Sequence, residues 1–88
     1  MPMVDAHELD PALLETLYVD GVEMPFVEFG PVEPVLRLRL EGEEYDFQRS
    51  YPRKGFSAIL GKDARELLKD GRKLLVARFG ERLYLFER

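Results

Sequence analysis

The sequence contains no cysteine and a single histidine, His7, among its 88 residues. Without cysteine the chain forms no disulfide, no thiolate metal site, no iron–sulfur cluster and no cysteine nucleophile. One histidine per chain cannot supply a His-His metal pair or an HExxH helix. We therefore predict a protein that is not an enzyme, with no catalytic residues, no metal ligands and no cofactor.

Basic residues near the N-terminus and long apolar runs are also missing. The first ten residues contain no Lys or Arg and no apolar run, so they lack the features of a secretory signal peptide. The longest aliphatic stretch, residues 74–77, is far shorter than the roughly 20 residues of a membrane helix. We expect a cytoplasmic protein that does not enter membranes. Asn is absent and Gln occurs once, which favours a thermophilic source.

The order of the charges is the least ordinary feature of the sequence. With 45% hydrophobic and 34% charged residues, the chain has the composition of one globular domain over residues 1–88. Residues 1–36 contain eight acidic residues and no basic one, whereas residues 37–88 contain the other nine acids and all thirteen bases. We expect the acidic residues 22–29 to lie against the basic region 49–82, in the same chain or in a partner.

The N-terminal half begins with helix and turn signals. Asp10 before a proline is typical of a helix start, which predicts a short helix over residues 11–17. The Asp20-Gly21 dipeptide predicts a type I′ hairpin turn, followed by a strand over residues 22–29. Pro25 lacks a backbone N–H, so we expect this strand at a sheet edge.

The clearest strand pattern lies in the middle of the chain. Over residues 35–41, leucines at 36, 38 and 40 alternate with the charged residues Arg37, Arg39 and Glu41, which is the period of a strand with one solvated face. Gly42 marks a turn, and residues 44–50 return with Tyr45 and Phe47 on one face. These residues predict a hairpin.

Two hydrophobic periodicities, that of a strand and that of a helix, overlap at the start of the last third of the chain. Residues 56–60 fit either a strand or a helix, and we favour a strand because Gly61 is unfavourable inside a helix. A helix over residues 63–69 and a hairpin of strands 73–79 and 82–87 complete an α+β domain. Its antiparallel sheet of hairpins carries the helix on one face.

Residues 49–56 form the best candidate site, because three bases alternate there with two aromatic residues. Proteins hold single-stranded nucleic acid by phosphate neutralisation together with base stacking. The overall pI near 5.0 is opposite to the usual balance of such proteins, so nucleic acid is the alternative function. The candidate residues for nucleic-acid or other anion binding are Arg49, Tyr51, Arg53, Lys54, Phe56 and Lys62.

The strand predicted over residues 82–87 is apolar on both faces. Its second face must be covered by residues 11–17, by the strand 22–29 or by a second copy of the protein. We therefore favour a non-catalytic protein-interaction or regulatory module. It would self-associate as a homodimer, through a sheet edge or through this strand, and an unidentified protein partner remains open.

Overall fold

The computed structural model describes residues 6–88, which form a mixed seven-stranded sheet with one α-helix. The elements are β1 (His7–Glu8), a 3-10 helix (Pro11–Leu13), β2 (Glu15–Val19), β3 (Val22–Glu28), β4 (Arg37–Leu40), β5 (Glu43–Pro52), α1 (Phe56–Lys69), β6 (Leu74–Phe79) and β7 (Arg82–Glu87). The sheet order is β1-β4-β5-β7-β6-β3-β2. The α+β class is therefore confirmed, whereas the purely antiparallel sheet is wrong because β1 pairs with β4 and β3 with β6 in parallel.

Helix α1 covers one face of the sheet. Leu60 and Ala64 are fully buried there, with Phe56 and Leu67 packed beside them. The helix ends at Lys69, and Gly71 just beyond it has a positive φ of 79° that favours glycine. The buried residues under the helix are Val19, Val22, Met24, Tyr51, Leu74, Val76, Leu83 and Leu85.

The second face of the sheet is covered by the chain itself. The sheet curls, so that the His7 ring in β1 meets the Phe29 ring just after β3 with 5.0 Å between centroids. Phe86 of β7 is thereby fully buried, although its strand is apolar on both faces. No second copy is needed to cover β7. The buried residues on this side are Leu9, Val27, Leu38, Tyr45, Leu75, Ala77, Phe79 and Phe86.

A β-bulge lets strand β5 contribute to both faces. Phe47 pairs with Phe86 and Arg49 pairs with Leu85, so Gln48 is the unpaired extra residue. An extra residue reverses which side chains face which side. Phe47 therefore packs in the second core, whereas Tyr51 lies under α1.

The predicted helix over residues 11–17 is wrong. The Asp10 side chain does accept a hydrogen bond from the Ala12 N–H at 3.0 Å, but the 3-10 helix spans only Pro11–Leu13. Residues Glu15–Val19 form strand β2 instead, because they pair with β3 through a two-residue turn. Asp20 and Gly21 both have positive φ, as a type I′ turn requires.

The edge position predicted for the strand with Pro25 is also wrong, since β3 lies between β2 and β6. A two-residue turn makes Val19 and Val22 a hydrogen-bonded pair, and alternation along the strands makes Thr16 and Pro25 a non-hydrogen-bonded pair. Pairing with β6 begins one residue later, at Phe26. Pro25 therefore lies inside the sheet, because neither neighbouring strand needs a hydrogen bond from its backbone nitrogen.

Residues 56–60 are helical, so the favoured strand at this position is wrong as well. Gly61 lies inside α1 because the helix approaches the β2–β3 turn too closely for a side chain. A Cβ atom at this position would lie 2.9 Å from the Cβ of Asp20. Tertiary contact, not helix propensity, selects glycine here.

The expected contact between the acidic and basic regions is confirmed within the chain. Strand β3, which spans most of residues 22–29, pairs with β6. Glu28 Oε2 lies 3.1 Å from Arg78 Nη1. Just before β3, Asp20 Oδ2 lies 2.6 Å from Arg65 Nη1. The two halves of the chain are thus joined by both backbone pairing and ion pairs.

Candidate functional site

Two of the six predicted site residues belong to a link between β5 and α1. The Tyr51 hydroxyl donates a hydrogen bond to Asp63 Oδ2 at 2.6 Å, and Arg49 Nη1 donates to the same oxygen at 3.1 Å. Tyr51 is only 1% exposed, so its ring is not accessible for stacking on a base. Burial, and secondly the hydrogen bond to Asp63, raise the pKa of the Tyr51 phenol above its ordinary value. This link is structural in character.

The other four predicted residues lie in the loop before α1 and in its first half. Arg53 Nη1 lies 3.6 Å from Glu81 Oε1, and Phe56 is half-buried against the core under the helix. Lys54 and Lys62 are exposed and form no ion pair with any residue in the range 6–88. Arg53 and Lys54 therefore precede the helix and Lys62 lies midway along it, and neither of the two predicted aromatic rings is fully exposed beside them.

A groove of about 240 Å³ separates the bulge of β5 from α1. Arg49 and Asp63 form an ion pair at one end of the groove, and Glu66 and Asp70 line it farther along the helix. The electrostatics suit a cation better than an anion. Over the described part of the chain, however, no three acidic or histidine side chains converge closely enough to hold a metal ion. The lining residues are Gln48, Arg49, Asp63, Glu66, Leu67 and Asp70.

The carboxylates around the β4–β5 turn are engaged by basic side chains. Arg37 Nε lies 2.9 Å from Asp46 Oδ1, and Arg39 pairs with Glu44. Arg88 Nη1 lies 2.7 Å from Glu43 Oε2. Glu43, Glu44 and Asp46 therefore each have a basic partner within the chain.

Strand β2 is the surface that sequence reasoning missed. Among residues 6–88 it pairs only with β3, and it forms one edge of the sheet. Alternation directs the backbone groups of Leu17 and Val19 to β3, so the N–H and C=O groups of Thr16 and Tyr18 point away from the sheet. The Tyr18 side chain is 72% exposed. The available signal was the run of strand-forming residues, Thr16 to Val19, directly before the hairpin dipeptide.

Free sheet edges are templates for another strand, and proteins commonly protect them with lysine, proline or a covering segment. Strand β2 contains neither lysine nor proline, and Glu15 is its one charged residue. The opposite edge is different, because β1 has only two residues. Strand β2 thus offers the longer free row of hydrogen-bonding groups among the described residues.

Comparison with known proteins gives no further guide to this surface. The chain matches no protein-family model, no curated protein sequence and no solved structure. No helix within residues 6–88 is long and apolar enough to cross a membrane. The function must be argued from the geometry of the chain.

Proposed function

We propose that the protein is a non-catalytic, cytoplasmic interaction module that self-associates through the free edge of strand β2. The observation that carries the proposal is the outward direction of the Thr16 and Tyr18 backbone groups on an unprotected edge. Addition of a strand satisfies such groups with main-chain hydrogen bonds. Each hydrogen bond contributes about 0.5–1.5 kcal/mol net, so a short edge gives a weak, reversible complex.

The edge replaces the apolar strand β7 as the proposed contact. Strand β7 lies between β5 and β6, and Leu83, Leu85 and Phe86 are buried by the rest of the chain. By contrast, Tyr18 exposes most of its side chain, and Leu13 just before β2 is 65% exposed. The proposed association surface is therefore β2 together with these two apolar side chains.

The test is sedimentation velocity over a concentration series with two variants at one position. Thr16→Pro removes the outward N–H without disturbing a bond to β3, and we expect the dimer dissociation constant to rise by at least about tenfold. Thr16→Val keeps the N–H and the branched side chain, so it should associate like the natural protein. Tyr18→Lys, which places a charge on the edge, provides a second variant should the proline impair folding.

Two outcomes contradict the proposal. One is a single 10.2 kDa species for the natural protein up to high micromolar concentration. The other is undiminished association of both Thr16→Pro and Tyr18→Lys, each confirmed as folded by circular dichroism. Either result would remove the β2 edge as the association surface.

A second candidate function is binding of single-stranded nucleic acid or another anion along the first half of α1 and the loop before it. It is favoured by Lys54 and Lys62, which have no acidic partner within residues 6–88, and by the lack of an acidic residue in the first helical turn. Nucleic-acid binding weakens as salt rises. Self-association of a chain with net charge −4 should instead hold or strengthen, because salt screens the repulsion between copies.

Fluorescence anisotropy with labelled single-stranded DNA at low and moderate salt tests this second candidate. The double variant Lys54→Ala, Lys62→Ala should reduce both the affinity and the steepness of its salt dependence. The matched control is Lys69→Ala at the far end of α1. No binding at low salt, or equal binding by all three proteins, would rule the candidate out.

A further inference from the structure

The register of strand β2 restricts how a second copy can add to it. This step rests on the proposed self-association. In an antiparallel pair, residues that exchange both backbone hydrogen bonds alternate with residues that exchange none. Because only Thr16 and Tyr18 present outward groups within Glu15–Val19, those residues must be the bonded ones.

We infer that the protein forms a two-fold dimer in which β2 pairs antiparallel with β2 of a second copy, with the symmetry axis at Leu17. Thr16 of one copy then lies opposite Tyr18 of the other, and each such pair exchanges both backbone hydrogen bonds. Leu17 lies opposite its own symmetry mate as a non-hydrogen-bonded pair. The interface is self-complementary, as a two-fold contact requires.

Side-chain chemistry favours a second copy as the occupant. The register places Glu15, the one charged residue of β2, opposite Val19 and keeps the two Glu15 carboxylates at opposite ends of the paired segment. Like charges therefore do not face each other across the new pair. Thr16 beside Tyr18 is a β-branched and aromatic pair, which stabilises neighbouring strands.

Packing under the helix supports the same register. The side chain of Leu17 is half-buried at the margin of the core that α1 covers. Opposite Leu17 of the second copy, its remaining exposed surface is covered by an identical apolar group. The helix-side cores of the two copies then become continuous across the β2 edge.

The absence of cysteine makes disulfide trapping the sharpest test of this register. Facing Cα atoms of a non-hydrogen-bonded pair lie about 4.5 Å apart, within the range that a disulfide spans. Leu17→Cys should therefore form a covalent dimer under mild oxidation. It should do so on the order of tenfold faster than Thr16→Cys or Tyr18→Cys alone, whose symmetry mates are two residues out of register.

A mixture of the Thr16→Cys and Tyr18→Cys proteins provides an independent arm at exposed positions. It should yield more cross-linked heterodimer than homodimer, whether or not Leu17→Cys folds. Leu68→Cys, on an exposed part of α1, measures random collision. Rapid homodimer formation by Thr16→Cys or Tyr18→Cys, or a mixture that cross-links no faster than Leu68→Cys, would overturn the Leu17-centred register. A natural protein that sediments as a monomer would instead overturn the proposed function itself.

Discussion

At the scale of single residues, the Tyr51 hydroxyl joins the sheet to the helix. Its ring is buried under α1, and its hydrogen bond to Asp63 is made beside the guanidinium of Arg49, whose Cζ lies 5.5 Å from the centre of the Tyr51 ring. Asp63 keeps its bond to Arg49 when the hydroxyl is removed. Tyr51→Phe therefore tests one hydrogen bond in an otherwise unchanged core.

We expect Tyr51→Phe to lower the free energy of unfolding by about 1–2 kcal/mol at neutral pH. The natural protein should also lose stability as the pH rises above about 10, because the phenol ionises more easily in the unfolded chain than in the folded one. The variant lacks this contribution. Urea denaturation between pH 7 and pH 11 measures both effects.

The comparison of the two proteins isolates Tyr51 from other groups that titrate at high pH. Burial also raises the pKa of Tyr45, but Tyr45 is present in both proteins. Any difference between the two proteins in how steeply the free energy of unfolding falls at alkaline pH is therefore due to Tyr51. Identical slopes would contradict the role given to its hydroxyl.

Gly61 is the second residue with a specific structural requirement. Gly61→Ala gains about 1 kcal/mol of helix propensity, but the new Cβ would lie 2.9 Å from Asp20 Cβ. Overpacking costs about 1–3 kcal/mol, so we expect a net loss of about 1 kcal/mol in thermal or urea denaturation. Lys62→Ala, at the exposed neighbouring position, should stay within about 0.5 kcal/mol. A variant Gly61→Ala that is more stable than the natural protein would refute the close approach.

At the scale of elements, the bulge in β5 determines which side chains reach α1. Deletion of Gln48 removes the extra residue and leaves Phe47 and Tyr51 three positions apart, so simple alternation keeps Phe47 in the second core and Tyr51 under α1. We therefore expect the deletion variant to fold, and to lose much less than the about 3–5 kcal/mol that removal of a buried aromatic side chain costs in urea denaturation. Gln48→Ala retains the bulge and should be nearly neutral. A deletion variant that is unfolded by circular dichroism would contradict this account of the bulge.

Elements were predicted well where local and tertiary signals agree. The C-terminal hairpin follows the alternation of its residues and its Gly80-Glu81 turn, and β7 has the expected bounds Arg82–Glu87. Residues 11–17 carry a genuine cap signal, but pairing with β3 decides their structure. Residues 56–60 fit two periods, and the helical one places Phe56 and Leu60 with Ala64 and Leu67 against the core.

The candidate site was predicted less well than the fold for the same reason. Aromatic and basic residues alternate over residues 49–56, yet the sequence does not reveal the bulge that turns Tyr51 into the core. The β2 edge was hidden by the expected helix over residues 11–17. Both errors arise from long-range contacts that composition and periodicity do not specify.

At the scale of the whole molecule, the chain completes its core without a partner. Its accessible surface of 5672 Å² is close to the roughly 5,300 Å² expected for a folded monomer of this mass. We therefore expect the chain to fold without association, and the dimer to add strand pairing to a folded domain. We expect the monomer and the dimer to have the same internal structure.

Concentration-dependent amide hydrogen exchange of the natural protein tests the central claim most directly. The amides of Leu17 and Val19, which are bonded to β3, should be protected at every concentration. The outward amides of Thr16 and Tyr18 should exchange rapidly in dilute solution and gain protection together as the dimer forms. Association detected by sedimentation while the Thr16 and Tyr18 amides remain fully exchanging would contradict the account.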